Sequence, residues 1–146
     1  VLHSRKIPKF RKLKMNHWAY EYIGIKWVNG GRDIKTGIDC WGLLHHIYKH
    51  HYHIELPLFN GIDATDNLNI AKMIHQNKQD WLECKSPVEG CAVAMSKNKI
   101  LHHVGVFVCG MVIHALGNDK VVAQSLRALQ ASGWTTIRFF KHEQMT

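Results

Sequence analysis

The succession of β-rich segments after Pro87 is the feature that most restricts the fold of this chain. Short runs rich in β-branched and aromatic residues follow one another there, separated by glycine or asparagine turns. Strands are predicted at residues 91–95, 102–108, 111–114, 120–123 and 135–139, with a brief helix at 125–130. Because the connections between these runs are short, the strands are expected to form an antiparallel meander.

The residues before Pro87 have helical spacing instead. Helices are predicted from an N-cap at Asn16 to Tyr22, from Cys40 to no further than Leu56, and from Asn69 to about Glu83. Two glycine-containing turns, at 29–31 and 35–37, predict an irregular loop over residues 23–38. Helices followed by antiparallel strands are typical of an α+β fold.

Composition is consistent with one globular domain. With 146 residues, 46% of them hydrophobic, the chain can bury a core without disulfide support. Its cysteines, Cys40, Cys84, Cys91 and Cys109, form no CxxC pair, so reduced thiols are expected, although a Cys84–Cys91 bond stays open. Apart from Cys40, we expect these cysteines to be buried and inert.

The net charge of +8 is concentrated near the start of the chain. Six basic residues precede Met15, so we interpret residues 1–14 as a basic arm and 15–146 as the domain. The charge is therefore weak evidence for nucleic-acid binding, and no RNA-recognition or zinc-finger motif supports such a partner. No run of about 18 apolar residues and no apolar segment of a secretory signal occurs, so no membrane partner is expected.

Cys40 is the candidate nucleophile, because it lies where the loop gives way to a helix. The N–H groups at a helix start favour a thiolate and are expected to lower the thiol pKa below its free value of about 8.5. The same groups can bind the oxyanion of a tetrahedral intermediate. Asp39 fits the N-cap, and its charge would oppose thiolate formation.

Two histidines are placed to complete such a site. In the predicted strand, His103, Gly105 and Phe107 face one way and the valines between them face a core, while the preceding His102 is expected on the face opposite His103. The turn at residues 109–110 returns the chain, which brings His114 within reach of His103. His103 is the candidate base and His114 the group that orients it.

Other interpretations of these residues stay open. Cys40 fits a core position, and Cys40, His103 and His114 are also zinc-ligand types, although no fourth ligand is evident. The histidines crowding the helix after Cys40 are interpreted mostly as a solvated face, with a metal site as the less favoured reading; they are His45, His46, His50, His51 and His53. The tryptophans at 18, 81 and 134 are most simply core aromatics.

Taken together, these blocks resemble the NlpC/P60 cysteine peptidases. The resemblance covers residues 15–140 and rests on IGIKWVNGG at 23–31, GIDCWGL at 37–43, HVGVFV at 103–108 and IHA at 113–115. It implies a papain-like fold with Cys40 as nucleophile, His103 as base and His114 as third polar residue. It also implies a peptidoglycan substrate, in which the family usually cleaves peptide bonds next to D-amino acids in the stem peptides. No cofactor and no metal is expected.

Two tryptophans depart from the family's common pattern. Trp41 stands where serine usually follows the nucleophile, and Trp27 stands where the upstream block usually has tyrosine. With Asp39, they are predicted to line the substrate side of the site. The DCWG sequence at 39–42, IELP at 54–57 and the segment 133–140 resemble the small members found in phage tails.

That second resemblance implies an enzyme located in the virion, at the tail tip, and otherwise in the cytoplasm of the infected bacterium during assembly. Its expected partners are peptidoglycan and phage tail proteins. Two other functions stay open: an amidase or acyl transferase with similar Cys-His architecture, and a structural tail-assembly protein with little or no activity.

Overall fold

A computed structural model describes residues 17–58, 78–98 and 101–145. Within them lie two α-helices, α1 (Cys40–Ile47) and α2 (Leu126–Ala131), two 3₁₀ helices (Trp18–Tyr22 and Lys78–Asp80) and a π-helical turn (Tyr48–Tyr52) that continues α1. The strands are β1 (Arg32–Asp33), β2 (Gly37–Ile38), β3 (Trp81–Cys84), β4 (Ala92–Ser96), β5 (His103–Val108), β6 (Met111–Ala115), β7 (Val121–Gln124) and β8 (Thr136–His142). The fold is α+β, as the sequence predicts.

Six of these strands form one antiparallel sheet in the order β3-β8-β4-β5-β6-β7. The predicted meander is confirmed from β4 to β7, where each strand pairs with the next along the chain. The last strand then crosses the sheet and inserts between β3 and β4. The last described strand of the chain is therefore an interior strand of the sheet.

The two faces of the sheet carry separate hydrophobic clusters. Val104, Val106 and Val108 of β5 face the larger cluster, which includes α1, whereas Phe107 packs against the smaller cluster on the opposite face. This alternation is the one predicted for an extended strand. The smaller cluster contains Leu129 of α2 and Trp134. Side chains of β5 at 103, 105 and 107 are thus directed to the α2 face of the sheet.

The prediction of a helix from Asn69 to about Glu83 is wrong at its C-terminal end. Residues 81–84 form β3, which pairs with β8 in the register Trp81↔His142 and Cys84↔Phe139. Pairing with a strand more than 50 residues away is invisible to local periodicity, and it overrides the helical spacing. Residues 69–77 of that prediction lie outside the described ranges.

Smaller differences occur at the start of the described chain. The first helix is capped by His17, whose Nδ1 accepts the Ala19 N–H, and not by Asn16, which lies outside the described residues. The predicted loop over 23–38 contains a two-residue ladder between β1 and β2. The basic arm at 1–14 also lies outside the described ranges.

The burial of the cysteines differs in part from the prediction. All four cysteines are free in the structure. Only Cys40 and Cys91 are buried, so the expected burial of Cys84 and Cys109 is wrong. In the described parts of the chain, no helix is long and apolar enough to cross a bilayer.

Candidate active site

Asp39 holds the loop onto the first turn of α1. Its Oδ1 accepts from Gly42 N–H at 2.8 Å, which confirms the predicted N-cap, and its Oδ2 accepts from Gly30 N–H at 3.1 Å. Arg32 completes the arrangement with an ion pair from Nη1 to Oδ1 at 2.7 Å. The Asp39 carboxylate therefore binds the loop to the helix. These contacts fix the position of Cys40, the next residue.

The start of β5 lies against Cys40. Pairing between β5 and β6 begins only at Val106↔Ile113, so Val104 is at the open end of that ladder. The backbone N–H groups of Val104 and of Trp41, at the first turn of α1, both lower the pKa of the Cys40 thiol. The candidate nucleophile is thereby placed beside the residue that follows His103.

Burial makes the Cys40 thiol weakly acidic. Desolvation raises its pKa to about 12, the Asp39 charge adds to this rise, and the Val104 and Trp41 N–H groups and the Arg32 charge oppose it. The lowered pKa predicted from the helix start is therefore wrong for the substrate-free chain, because desolvation outweighs the helix N–H groups. The thiol is protonated at neutral pH and needs a base to become a nucleophile.

The candidate base, His103, has its expected neighbour. His103 Nε2 and His114 Nδ1 are 2.9 Å apart, with the rings nearly perpendicular, so the predicted approach of the two histidines is confirmed. Gly105 makes the approach possible, because a Cβ there would lie 2.9 Å from the His114 Cβ. Both imidazoles are buried, with exposures of 8% for His103 and 0% for His114.

Burial also keeps the two imidazoles neutral. Desolvation lowers the pKa of His103 well below its usual value, and His114 adds to the effect; desolvation likewise lowers the pKa of His114, against a hydrogen bond to Gln124. In the resting site both the Cys40 thiol and the His103 imidazole are therefore neutral. An imidazole of this kind can accept a proton during attack on a substrate.

Two functional neighbours were missed from the sequence. Trp134, predicted only as a core aromatic, stacks on His103 with ring centroids 4.8 Å apart and planes inclined by 17°. Gln124 Oε1 lies 2.7 Å from His114 Nε2. The polar glutamine closing the apolar run VVAQ was the available signal for the second, whereas nothing local marked the first.

His102 lies closer to the site than predicted. Its ring is 5.5 Å from that of Trp134, so it approaches the same tryptophan as His103 instead of pointing to the opposite face. Because His102 precedes β5, the alternation of a strand does not fix its direction. Its Nε2 accepts from Lys97 N–H at 3.2 Å, and His103 alone of the two bonds to His114.

The three predicted substrate-lining residues differ in exposure. Trp41 is 3% exposed and donates its indole N–H to Pro57 O at 2.6 Å, and Asp39 is 1% exposed. Trp27 is half-buried, with its backbone bridged to Ile38 of β2. Trp41 and Asp39 therefore hold the loop around α1, and Trp27 has the surface to meet a ligand. Contact of any of the three with substrate stays a prediction.

The histidines following Cys40 are not a uniformly solvated face, so that prediction is wrong in part. His45 is buried beside Glu55, and the Tyr22 hydroxyl lies 2.7 Å from His46 Nδ1 and 3.0 Å from His51 Nε2. Only His50 and His53 are exposed.

Groups of potential metal ligands are few in the described residues. One group of three or more has its ligand atoms within 4.8 Å of one another: His17, Glu89 and Cys109. Two of its members already have partners, because His17 Nδ1 accepts the Ala19 N–H and the Glu89 carboxylate accepts the Cys109 N–H. In the zinc alternative at Cys40, one nitrogen of each of His103 and His114 is engaged with the other ring.

Known proteins similar to this chain include a sequence family and solved structures. The sequence model of the NlpC/P60 family matches residues 10–140. The chain belongs to the NlpC/P60 family. Among solved structures, the NlpC/p60 domain of peptidoglycan hydrolase SagA is similar, with a TM-score of 0.57 and 21% identity over 84% of this chain and 90% of that one. A comparison with curated protein sequences gives no significant match.

A second solved structure has the same fold. It is a protein of the NLP/P60 family, described as similar to lipoprotein, from Staphylococcus aureus subsp. aureus Mu50. Its TM-score is 0.54 at 19% identity, over 90% of this chain but 42% of that longer one. At these identities the two structures establish the NlpC/P60 fold of the chain, and activity has to be argued from the site.

Alkylation of Cys40 in this NlpC/P60 domain is expected to be slow at neutral pH. Because the thiol pKa is about 12, the thiolate fraction should still rise about tenfold per pH unit up to about pH 10. The rate is measured by mass spectrometry of the Cys40 peptide after timed exposure to iodoacetamide. Replacing the partly exposed Cys84 and Cys109 by serine removes competing thiols. A rate already constant between about pH 5 and 8 would instead indicate a thiolate–imidazolium pair.

Proposed function

We propose that this chain is a cysteine peptidase that hydrolyses amide bonds in the stem peptides of peptidoglycan. Cys40 is the nucleophile, His103 the base and His114 the residue that orients the base. The observation that carries the proposal is the 2.9 Å contact between His103 Nε2 and His114 Nδ1. His103 directly precedes Val104, whose backbone N–H lowers the pKa of the Cys40 thiol. Nucleophile, base and orienting group thus occur in the order that thiol catalysis requires.

Catalysis starts from the neutral pair. As the Cys40 sulfur attacks the amide carbonyl, its proton passes to His103, and a tetrahedral oxyanion forms. The Cys40 amide lies at the start of α1, and in the described part of the chain it donates to no other group, so it is available to bind that oxyanion. The His103 imidazolium then protonates the leaving amine, and a thioester remains on Cys40.

The second half returns the enzyme to its starting state. Neutral His103 removes a proton from a water molecule as the water attacks the thioester carbonyl, and the thiolate leaves and is reprotonated. His114 holds the His103 ring throughout, and the stacked Trp134 fixes the plane of that ring. Every step uses only water, the named side chains and the Cys40 backbone amide.

Peptidoglycan as the substrate rests on the family. Membership of NlpC/P60 and the likeness to a domain of a peptidoglycan hydrolase support a stem-peptide amide over other amides. Trp27, half-buried in the loop before Cys40, is the proposed contact for the substrate on that side.

The test is digestion of purified peptidoglycan sacculi from several bacteria. The wild-type chain is expected to release new primary amino groups, with fragments that mass spectrometry assigns to cleavage between stem-peptide residues. Prior treatment with iodoacetamide at alkaline pH should stop the release. Absence of new amino groups from every wall type tested would contradict the proposed activity.

Location on a phage tail is a further part of the proposal and rests on the sequence alone. Its support is the DCWG, IELP and 133–140 segments. Co-purification of the chain with tail proteins from virions is the expected result. Such co-purification with a wild-type chain that is silent on all walls would favour an assembly role instead.

A further inference from the structure

A line of polar groups continues from His114 away from Cys40. His114 Nε2 lies 2.7 Å from Gln124 Oε1, and Gln124 Nε2 lies 3.4 Å from Ser132 Oγ. Ser132 Oγ in turn lies 2.9 Å from the Ala128 carbonyl oxygen of α2. His103, His114, Gln124 and Ser132 therefore form one hydrogen-bonded series from β5 to the end of α2.

The direction of every bond in this series follows from its last member. A backbone carbonyl can only accept, so Ser132 donates its hydroxyl proton to Ala128 O. The Ser132 oxygen is then an acceptor for the amide NH₂ of Gln124, which turns Oε1 of that amide towards His114. An amide oxygen also only accepts, so His114 must carry its proton on Nε2.

The tautomer of His114 in turn fixes the tautomer of His103. A neutral His114 protonated on Nε2 has a lone pair on Nδ1, and it accepts the proton that His103 bears on Nε2. His103 is left with an unprotonated Nδ1, which has no hydrogen-bond partner in the described part of the chain. Nδ1 is therefore the ring nitrogen of His103 that is free to accept a proton.

We propose that Gln124, supported by Ser132, is a positioning residue that sets the tautomers of His114 and His103 and so makes Nδ1 of His103 the catalytic base. The role rests on the proposed cysteine peptidase activity. It assigns a fourth and a fifth member to the site, both reached through His114 and neither in contact with substrate.

Burial gives the tautomer its importance. Because both imidazoles are largely buried and bonded to each other, their internal partners decide which nitrogen is protonated. If His114 lost its acceptor, it could present N–H to His103, and His103 would then carry its proton on the nitrogen meant to receive one. A base in the wrong tautomer is inactive even with its position intact.

The test removes the oxygen acceptor of Gln124 while keeping the volume of its side chain. Gln124→Met is expected to lower kcat on peptidoglycan by about 10–100-fold with KM little changed, because a supporting hydrogen bond is lost. Gln124→Glu keeps an oxygen acceptor and is expected to rescue most of the rate. The negative charge introduced by Gln124→Glu favours protonation of His114. As the pH falls, this variant should therefore lose activity at a higher pH than the wild type does.

The direct readout is the tautomer of each ring. In protein labelled with ¹⁵N-histidine, both His103 and His114 are expected to be protonated on Nε2 in the wild type and in Gln124→Glu, whereas Gln124→Met should populate the Nδ1–H form. Gln130→Met, on the exposed side of α2, is the matched control and should change neither tautomer nor rate. Ser132→Ala, which removes the partner of the amide NH₂, should shift the tautomers in the same direction as Gln124→Met and serves if that variant does not fold.

Unchanged tautomers and kcat in folded Gln124→Met would overturn the role of Gln124. Failure of the proposed function is distinguishable, because ring tautomers are measured without peptidoglycan. A wild type silent on every wall but with Nε2–H tautomers that depend on Gln124 would reject the substrate and retain the positioning role.

Discussion

Cys40→Ala is expected to lower the release of amino groups from peptidoglycan by at least about 10⁴-fold, since the variant has no nucleophile and His103 has no thiol to activate. The fold should survive. Cys40 is 4% exposed at the start of α1, and removal of its sulfur leaves a small gap without disturbing the Asp39 cap. We expect a cost in stability of about 1 kcal/mol, measured by thermal unfolding beside the activity assay.

Cys91→Ala is the matched control for this result. Cys91 is equally buried but belongs to the hydrophobic cluster on the other face of the sheet, so its loss should cost similar stability and leave activity near wild type. Cys40→Ser tests the chemistry more narrowly, because it keeps the position of the nucleophile but replaces the thiol by a poorly acidic hydroxyl. Retention of more than about a tenth of the activity in Cys40→Ala would place the chemistry at another residue.

Gly42→Ala is expected to destabilise the chain by about 3 kcal/mol or more, enough to deplete the folded protein at 37 °C. A Cβ at residue 42 would overlap the Gly31 carbonyl oxygen, because the loop before Cys40 lies directly on the first turn of α1. The obstacle is backbone, which cannot turn aside as a long side chain can. Helix propensity alone predicts the opposite sign, since alanine stabilises a helix interior over glycine by about 1 kcal/mol.

The sign of the change in unfolding free energy therefore decides between the steric clash with Gly31 and the gain in helix propensity. The measurement is the free energy of unfolding from urea denaturation, with Gly117→Ala as control, because a Cβ at 117 would meet no atom within 4 Å. Stabilisation of Gly42→Ala, or a cost equal to that of the control, would mean that the loop does not pack on α1 as described.

Much of the site could be predicted because its parts are locally encoded. Asp39 as N-cap and Cys40 at the helix start follow from a turn that meets an apolar helical stripe. The approach of His114 to His103 follows from a two-residue turn between strands of alternating pattern, which fixes the register. Each of these inferences needs only residues near in sequence.

The remaining features depend on packing that brings distant segments together. The Cys40 pKa is set by burial against Val104, and burial of a given side chain is a property of the whole fold. Trp134 reaches His103 from 31 positions away along the chain, after α2 has turned back onto the sheet. Residues 81–84 become a strand only because β8 offers them a partner. Local periodicity carries none of this information.

The position of β8 has a consequence for how the protein is made. This strand occupies the place between β3 and β4, and it is the last of the described elements to leave the ribosome. Until it arrives, one edge of β4 exposes unpaired backbone groups beside a run of apolar side chains, which is the form of edge that pairs with other chains. Synthesis of this protein therefore passes through a stage that invites aggregation, and completion of the sheet ends it.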